Sequence, residues 1–385
     1  MKIARAEIRN FRKIEKLDLD FTNSLDEVRE ASIIAGPNTS GKTTILDALA
    51  VCLGLGTELS YARPDFQITP RIVRRGELET RVTCWVRFAP AEIEATREIF
   101  KLAQEGGKII PKAREVKVTW VYPDPNHRSK LGFTFYEPES AWTLFKSRVK
   151  VARLLSTRLL DWNWFQRVGG VFTFDQQRTG LGRTIPRDIW NIINGDSSGY
   201  GDGSGFGGGS GSGSGYSDGS GYGGGEAEHR SRRTSDPREI LLALAVQSKF
   251  PAAGEAQTDQ FKLIKERYDQ LCAPHKLLGA MRDDLGELDL RFTDGFNEYF
   301  YEELSSGEEM LLLFLIRMVA EHIHQSVVLV DELELHQHPI WQRKLLHLLP
   351  KIGSNNQLIA TTHSPYLREV MSPEAVFDLG NLLGD

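Results

Sequence analysis

The chain has 385 residues, 40% of them hydrophobic and 26% charged, which is ordinary globular composition and enough for one large domain with an inserted lobe. With 47 basic and 52 acidic residues the net charge is -5, which excludes a chain that coats nucleic acid with an overall basic surface; any DNA contact has to come from a local patch. Cys52, Cys84 and Cys272 lie far apart without a CxxC pair, so neither a disulfide framework nor a zinc site is suggested, and a reducing cytoplasm is the natural setting. The opening MKIARAEIRNF has no apolar signal-peptide core, and the longest apolar run, around Met310 to Val319, is broken by Arg317 and falls short of the roughly 20 residues of a membrane span.

In chain order, residues 2–21 alternate well enough for two short strands around the turn Asn10-Phe11-Arg12. Residues 31–35 are a short apolar run; Gly36 then opens a loop of Gly, Ser and Thr, and 44–55 has helical spacing through Ile45, Leu46, Leu49, Val51 and Cys52. Strands are expected at 80–88, 116–122 and 132–136, helices at 91–104 and 141–160, and a further strand at 170–174 that runs into Asp175-Gln176-Gln177. From 197 to 225 the sequence reduces to Gly, Ser, Asp and Tyr, with SGYGDGSGF followed by the near repeat SGYSDGSGY. Such a stretch buries too little apolar surface to offset its ordering entropy and reads as a flexible tether; the sharper reading makes its spaced aromatics weak self-association points. The basic cluster His229-Arg230-Ser231-Arg232-Arg233 is either a solvated linker end or a contact to a phosphate backbone. Helical patterning returns at 237 and is expected to continue through 261–272 and 275–285, with no sustained heptad run. The C-terminal part reads as an apolar helix at 308–323, a buried strand at 326–330, an amphipathic helix at 338–351 and a last strand at 357–361.

Four motifs carry chemistry. Gly36-Pro37-Asn38-Thr39-Ser40-Gly41-Lys42-Thr43 fits GxxxxGK[ST] between a strand and a helix, where backbone N–H groups cradle phosphates, Lys42 reaches the β- and γ-phosphates and the Thr43 hydroxyl binds Mg²⁺. The buried strand Val327-Val328-Leu329-Val330 ends in Asp331, placed to hold the Mg²⁺ water shell, and Glu332, placed to polarise the attacking water. Leu304-Ser305-Ser306-Gly307-Glu308 precedes an apolar helix; Ser305 with Glu308 three residues on is a capping box, and the capped terminus with its free Ser and Gly is also a phosphate site. Thr361-Thr362-His363-Ser364-Pro365 follows the final strand and puts a histidine at a strand end, suited to a γ-phosphate contact.

This order of motifs is that of an ABC ATPase head. The chain resembles the ABC-type AAA ATPases of the overcoming-lysogenization-defect and RecF/SMC-like group in its opening with Asn10-Phe11-Arg12, its P-loop, its LSSGE, and the run Asp331-Glu332-Leu333-Glu334-Leu335-His336-Gln337-His338-Pro339 followed by Trp341-Gln342. The resemblance covers residues 1 to about 55 and 289 to about 378. It implies an α/β fold: an ABC-type P-loop head with a mixed sheet and flanking helices, split into 1–185 and 289–385 by an inserted, mostly helical lobe at 186–288 that contains the disordered Gly-rich segment. The cofactors it implies are ATP and Mg²⁺. It also implies a composite site in a head-to-tail homodimer: Lys42, Thr43, Asp331, Glu332 and His363 from one protomer, Ser305 and Gly307 from the other. Asn38, Gly41 and Thr44 would complete the nucleotide cradle, Gln176 or Gln177 would be the Q-loop residue, and Arg12 would approach the nucleotide. About twenty residues follow His363, so the metal-dependent TOPRIM nuclease domain of some relatives is expected to be absent, and no zinc-hook CxxC occurs; the chain alone is not expected to cut DNA. The functional expectation is a cytoplasmic prokaryotic defence ATPase that holds or releases a separate effector, a nuclease or toxin, without contacting a membrane. The alternative is a DNA-binding repair clamp, for which Arg71-Ile72-Val73-Arg74-Arg75 and the 230–233 cluster are the direct hints.

Overall fold

The computed structural model describes residues 1–54, 68–126, 128–156, 159–175, 237–249, 259–282, 286, 288–335 and 337–382. Gln176, Gln177, the Gly-rich segment and the 229–233 cluster lie outside the described residues.

The N-terminal alternation produces β1 (Lys2–Phe11) and β2 (Ile14–Asp20), joined by a tight turn in which Asn10 (φ 54°) and Arg12 (φ 52°) take left-handed backbone. After β3 (Ala31–Ala35) and α1 (Lys42–Gly54), the strands β4 (Thr80–Arg87), β5 (Glu115–Tyr122) and β6 (Phe133–Glu137) extend β1 and β2 into a five-stranded antiparallel sheet, ordered β2-β1-β4-β5-β6. Its inward face carries Ile8, Val82, Cys84, Val118 and Trp120 onto α1. Two helices, α2 (Pro90–Leu102) and α3 (Trp142–Ser156), pack together at its flank.

The second sheet is wholly parallel. Around β3 it gathers β7 (Val171–Phe174), β11 (Val327–Val330), β12 (Gln357–Thr362) and β13 (Val376–Asp378) in the order β13-β3-β12-β11-β7. These strands are short continuous apolar runs because both their faces are covered. On one side lies α1, buried almost all round from Thr44 to Leu53 because it sits between the two sheets. On the other side lie α4 (Pro237–Lys249), α5 (Gln260–Cys272), α6 (Ser306–Ala320), α7 (Pro339–Leu348) and α8 (Pro365–Val370), which share one hydrophobic core.

The helical patterning expected over 275–285 is corrected by the structure. Residues Lys276–Arg282 form a strand, β8, antiparallel to β9 (Leu288–Thr293), which pairs in turn with β10 (Glu298–Phe300). Pro274 ends α5, Gly279 sits at φ 138°, outside helical backbone, and a bulge falls between Leu277 and Gly279. The apolar run there is too short for its period to separate helix from strand. The described residues between 186 and 287 therefore form α4, α5 and β8.

No described helix is long and apolar enough to cross a membrane.

Candidate active site

Parallel pairing puts Ala35 of β3 opposite Thr362 of β12, and Val330 of β11 between Ala360 of β12 and Phe174 of β7. The loops that leave these strands thus open at one edge, the carboxyl edge where α/β sheets bind ligands. The P-loop follows β3 and feeds the amino end of α1. Its geometry needs Gly41, whose φ of 103° suits glycine alone, and Thr39 beside it is also left-handed at φ 67°. A Cβ at Gly36 would meet Ser40 Oγ at 2.8 Å.

Lys42 is only 5% exposed. Its Nζ donates to the carbonyls of Gly36 and Pro37, both at 2.9 Å, and lies 3.2 Å from His363 Nδ1. Burial holds its pKa below the ordinary lysine value, opposed by the charges of Glu332, Glu334 and Asp331 and reinforced by that of Lys13. An ammonium only donates, so His363 Nδ1 accepts, which leaves the ring proton on Nε2, 3.5 Å from Glu332 Oε1. The Thr43 hydroxyl is 3.0 Å from both carboxylate oxygens of Asp331, itself 1% exposed. Thr361 Oγ1 donates to Asp331 Oδ1 at 2.7 Å and accepts from the Glu332 amide at 2.8 Å. Glu332 has φ 49°, an uncommon backbone for a non-glycine residue, and Glu334 accepts from the His363 amide. Lys42, Thr43, Asp331, Glu332 and His363 are thus one contiguous cluster.

The arrangement suits phosphate chemistry: a loop of N–H groups at a helix start, a buried ammonium, a hydroxyl–carboxylate pair and a partly exposed carboxylate beside an imidazole. The pair Thr43 and Asp331 offers two oxygen donors of the kind Mg²⁺ takes beside phosphate oxygens and water, so the residues present fit that ion.

Ser305 and Gly307 are elsewhere. Ser305 caps α6 in the expected capping box, its Oγ donating to Glu308 Oε2 at 2.7 Å and accepting from the Glu308 amide at 3.3 Å. Glu308 is 4% exposed and is also held by Tyr268 (3.0 Å), Tyr299 (3.1 Å) and His275 (2.8 Å), so α5 and β10 grip the start of α6. Burial alone would raise the Glu308 pKa, but the Ser305 bonds, His275 and Tyr268 outweigh it and leave it lowered. The Gly307 carbonyl accepts from Gln337 Nε2 at 3.1 Å. Among the described residues these hydrogen bonds lead to Glu308 and Gln337, and none reaches the P-loop.

Asn38 is exposed at the loop tip and Thr44 is buried in the first turn of α1. Arg12 reaches Asp47 of α1 at 2.8 Å. In the basic run, Arg74 pairs with Glu15 at 2.9 Å, leaving Arg71 and Arg75 exposed. Thr361 and Glu334 stand inside motifs whose spacing gives them no task, and Asp47 stands in none; the only signal in the sequence is their adjacency to the histidine, the acidic pair and the P-loop helix.

Two protein-family profiles match the chain: one described as an AAA ATPase domain over residues 1–100, and one described as an AAA domain, putative AbiEii toxin, Type IV TA system, over 213–369. The chain is 27% identical over 137 residues to the Septu protein PtuA of Bacillus thuringiensis, a match covering 32% of this chain and 34% of that protein. It is 22% identical to the Retron Ec83 probable ATPase of Escherichia coli, covering 99% of this chain and 72% of that protein. The chain thus spans about a third of the first relative's length and most of the second's. A solved SMC head bound to the C-winged helix domain of ScpA superposes with a TM-score of 0.47 at 14% identity, over 98% of this chain and 96% of that one.

Proposed function

We propose that the chain is an ABC-type AAA ATPase that hydrolyses ATP at sites shared between two head-to-tail copies, and that the opening and closing of this dimer controls a separate effector protein. Within one protomer, the N–H groups of the P-loop and the amino end of α1 bind the phosphates, with Gly41 giving the backbone its close approach and Asn38 and Thr44 flanking it. Lys42 leaves its two carbonyl partners for the β- and γ-phosphate oxygens. Thr43 and Asp331 would hold Mg²⁺, which supplies neutralising charge to the phosphates when bound. Glu332 takes the proton of the attacking water, and His363 turns its Nε2–H from Glu332 to the γ-phosphate. Ser305 and Gly307 come from the partner protomer and close on the same γ-phosphate.

The single observation behind this reading is the division of the motifs: five side chains cluster at one sheet edge, while the hydrogen bonds of the signature turn lead to Glu308 and Gln337 instead. A second copy turned through two-fold symmetry supplies the missing contacts twice over. The effector, and a place in anti-phage defence, rest on the likeness to the Septu protein PtuA and the Retron Ec83 probable ATPase. Purification with the products of neighbouring genes, with and without ATP, tests that part: a nuclease or toxin that co-elutes in one nucleotide state is the expected result.

For the chemistry, Lys42→Ala is expected to lose nucleotide binding, because the phosphates lose their main counter-charge. Glu332→Gln is expected to bind ATP, lose turnover and accumulate as a dimer in ATP. Wild-type hydrolysis by Glu332→Gln would remove the assigned base.

A further inference from the structure

The run after the acidic pair contains two glutamines to which hydrolysis gives no task, Gln337 and Gln342, each 7% exposed. Gln337 Nε2 donates to the Gly307 carbonyl at 3.1 Å. Gln342, on α7, donates from Nε2 to the Gln337 main-chain carbonyl at 2.9 Å, and its Oε1 accepts from Ser364 Oγ at 2.6 Å. Ser364 is 6% exposed and directly follows His363. A second route meets the first: the Glu334 side chain accepts from the His363 amide, and the Glu334 carbonyl accepts from the Gln337 amide at 2.9 Å. Both routes run from the histidine loop, converge on Gln337 and end at the signature.

Gln337 is poorly explained as packing. Its Oε1 is buried and meets no donor among the described residues, and a buried amide oxygen left unpaired costs stability. What its side chain does is hold one carbonyl in the first turn of α6.

We propose that Gln337, braced by Gln342 and Ser364, is a positioning residue that ties the histidine loop to the signature turn of the same chain, so that γ-phosphate at one P-loop sets the geometry this protomer offers to its partner's nucleotide. This rests on the shared-site reading above. The two sites of a dimer are then coupled through each protomer as well as across the interface: a shift of His363 toward phosphate pulls on Ser364 and Glu334, and Gln337 carries the shift to Gly307.

The test uses the full chain with Glu332→Gln to slow turnover, and adds Gln337→Met, which keeps the length of the side chain and removes its donor. Fluorescent ATP gives the nucleotide affinity of dilute protomers, and sedimentation gives the dimer affinity in saturating ATP. Expected are nucleotide affinity within about twofold of the parent and a dimer about tenfold weaker, the scale of one lost hydrogen bond. In the chain with native Glu332, Gln337→Met is expected to lower kcat with KM nearly unchanged and to bring the Hill coefficient for ATP toward one. Ser364→Ala, which removes one hydroxyl at the far end of the link, is expected to move the same readings in the same direction by a few-fold, and it decides the matter if Gln337→Met does not fold. A folded variant that dimerises as tightly as its parent overturns the link while leaving the shared site intact. A Glu332→Gln parent that stays monomeric in ATP overturns the shared site, and the link with it.

Discussion

Thr361 performs two tasks with one oxygen: it donates to Asp331 and accepts from the backbone of Glu332, so it sets both acids at once. The residue is fully buried, and Thr361→Val keeps its shape while deleting both bonds. The expected cost is about 1–3 kcal/mol of stability, with kcat falling more than KM rises, because in the proposed mechanism the acids act on the reacting phosphate rather than on the bulk of the nucleotide. Thr361→Ser is expected to restore most of the rate; steady-state kinetics on the two variants decide it, and equal rates for valine and threonine would dismiss the role. Thr361 also marks the limit of what the sequence makes legible here. Lys42, Thr43, Asp331, Glu332 and His363 stand in motifs whose spacing carries their chemistry, and the structure brings them together. The tasks of Thr361, Glu334 and Gln337 depend on which residue faces them across the register of β11 and β12 or across the gap to α6, and no local pattern encodes that. Gln176 and Gln177 lie outside the described residues.

Arg317 interrupts the apolar helix α6, and the structure supplies its reason. It is 2% exposed, pairs with Glu321 at 3.0 Å, donates to the Thr173 carbonyl at 3.2 Å and lies 4.1 Å from the centre of the Phe174 ring. The signature helix is thereby fastened to β7, the strand that runs toward Gln176 and Gln177. Arg317→Ala leaves the Glu321 carboxylate buried without its cation, at a cost of about 3–5 kcal/mol. Thermal unfolding checks this, and pairing the change with Glu321→Leu is expected to recover much of the loss; a single variant that melts like the wild type refutes it. Just beyond α6, His322 stacks on Trp162 at 4.9 Å, and burial, with the Arg148 charge adding to it, pushes its pKa down to about 3. Burial likewise lowers His324 to about 4. Both folded-state values are depressed, so the unfolded chain takes up protons first: the stability is complete above about pH 6.5 and is lost as pH falls toward those values. Between pH 7.5 and 5.5 each ring is expected to cost about 1 kcal/mol, a window above the lowered carboxylates such as Glu308. His322→Asn suits the left-handed backbone at φ 47° and is expected to shrink the difference between urea midpoints at the two pH values; an unchanged difference would show that this ring does not titrate on unfolding. At this scale the long periodic elements were legible from sequence, while 275–285 was not, because a proline, a bulge glycine and a short apolar run leave pairing with β9 to decide its form.

For the whole molecule, the division between the P-loop cluster and the signature turn is what the proposed dimer resolves. If ATP is held by Lys42 of one protomer and Ser305 of the other, a protomer lacking one and a protomer lacking the other complement each other. Lys42→Ala and Ser305→Arg are each expected to be nearly inactive. Ser305→Arg also removes the cap of α6, at about 1 kcal/mol, which a fold with so much of α6 buried tolerates. Random mixing of equal amounts gives about half heterodimers by the statistics of a two-fold interface. Each heterodimer contains one dead site, built from both changes, and one intact site, built from the Lys42 of the second variant and the Ser305 of the first. The mixture is therefore expected to recover about a quarter of the wild-type ATPase rate if the sites turn over independently. Coupling through Gln337 makes the figure lower, because the intact site then has a partner site that cannot bind nucleotide, and adding Gln337→Met to both variants is expected to bring the recovered rate closer to a quarter of that of the Gln337→Met protein itself. No recovery at any mixing ratio, with or without Gln337→Met and with both proteins folded and heterodimers present by sedimentation, would overturn the shared site, as would full activity of Ser305→Arg as a monomer.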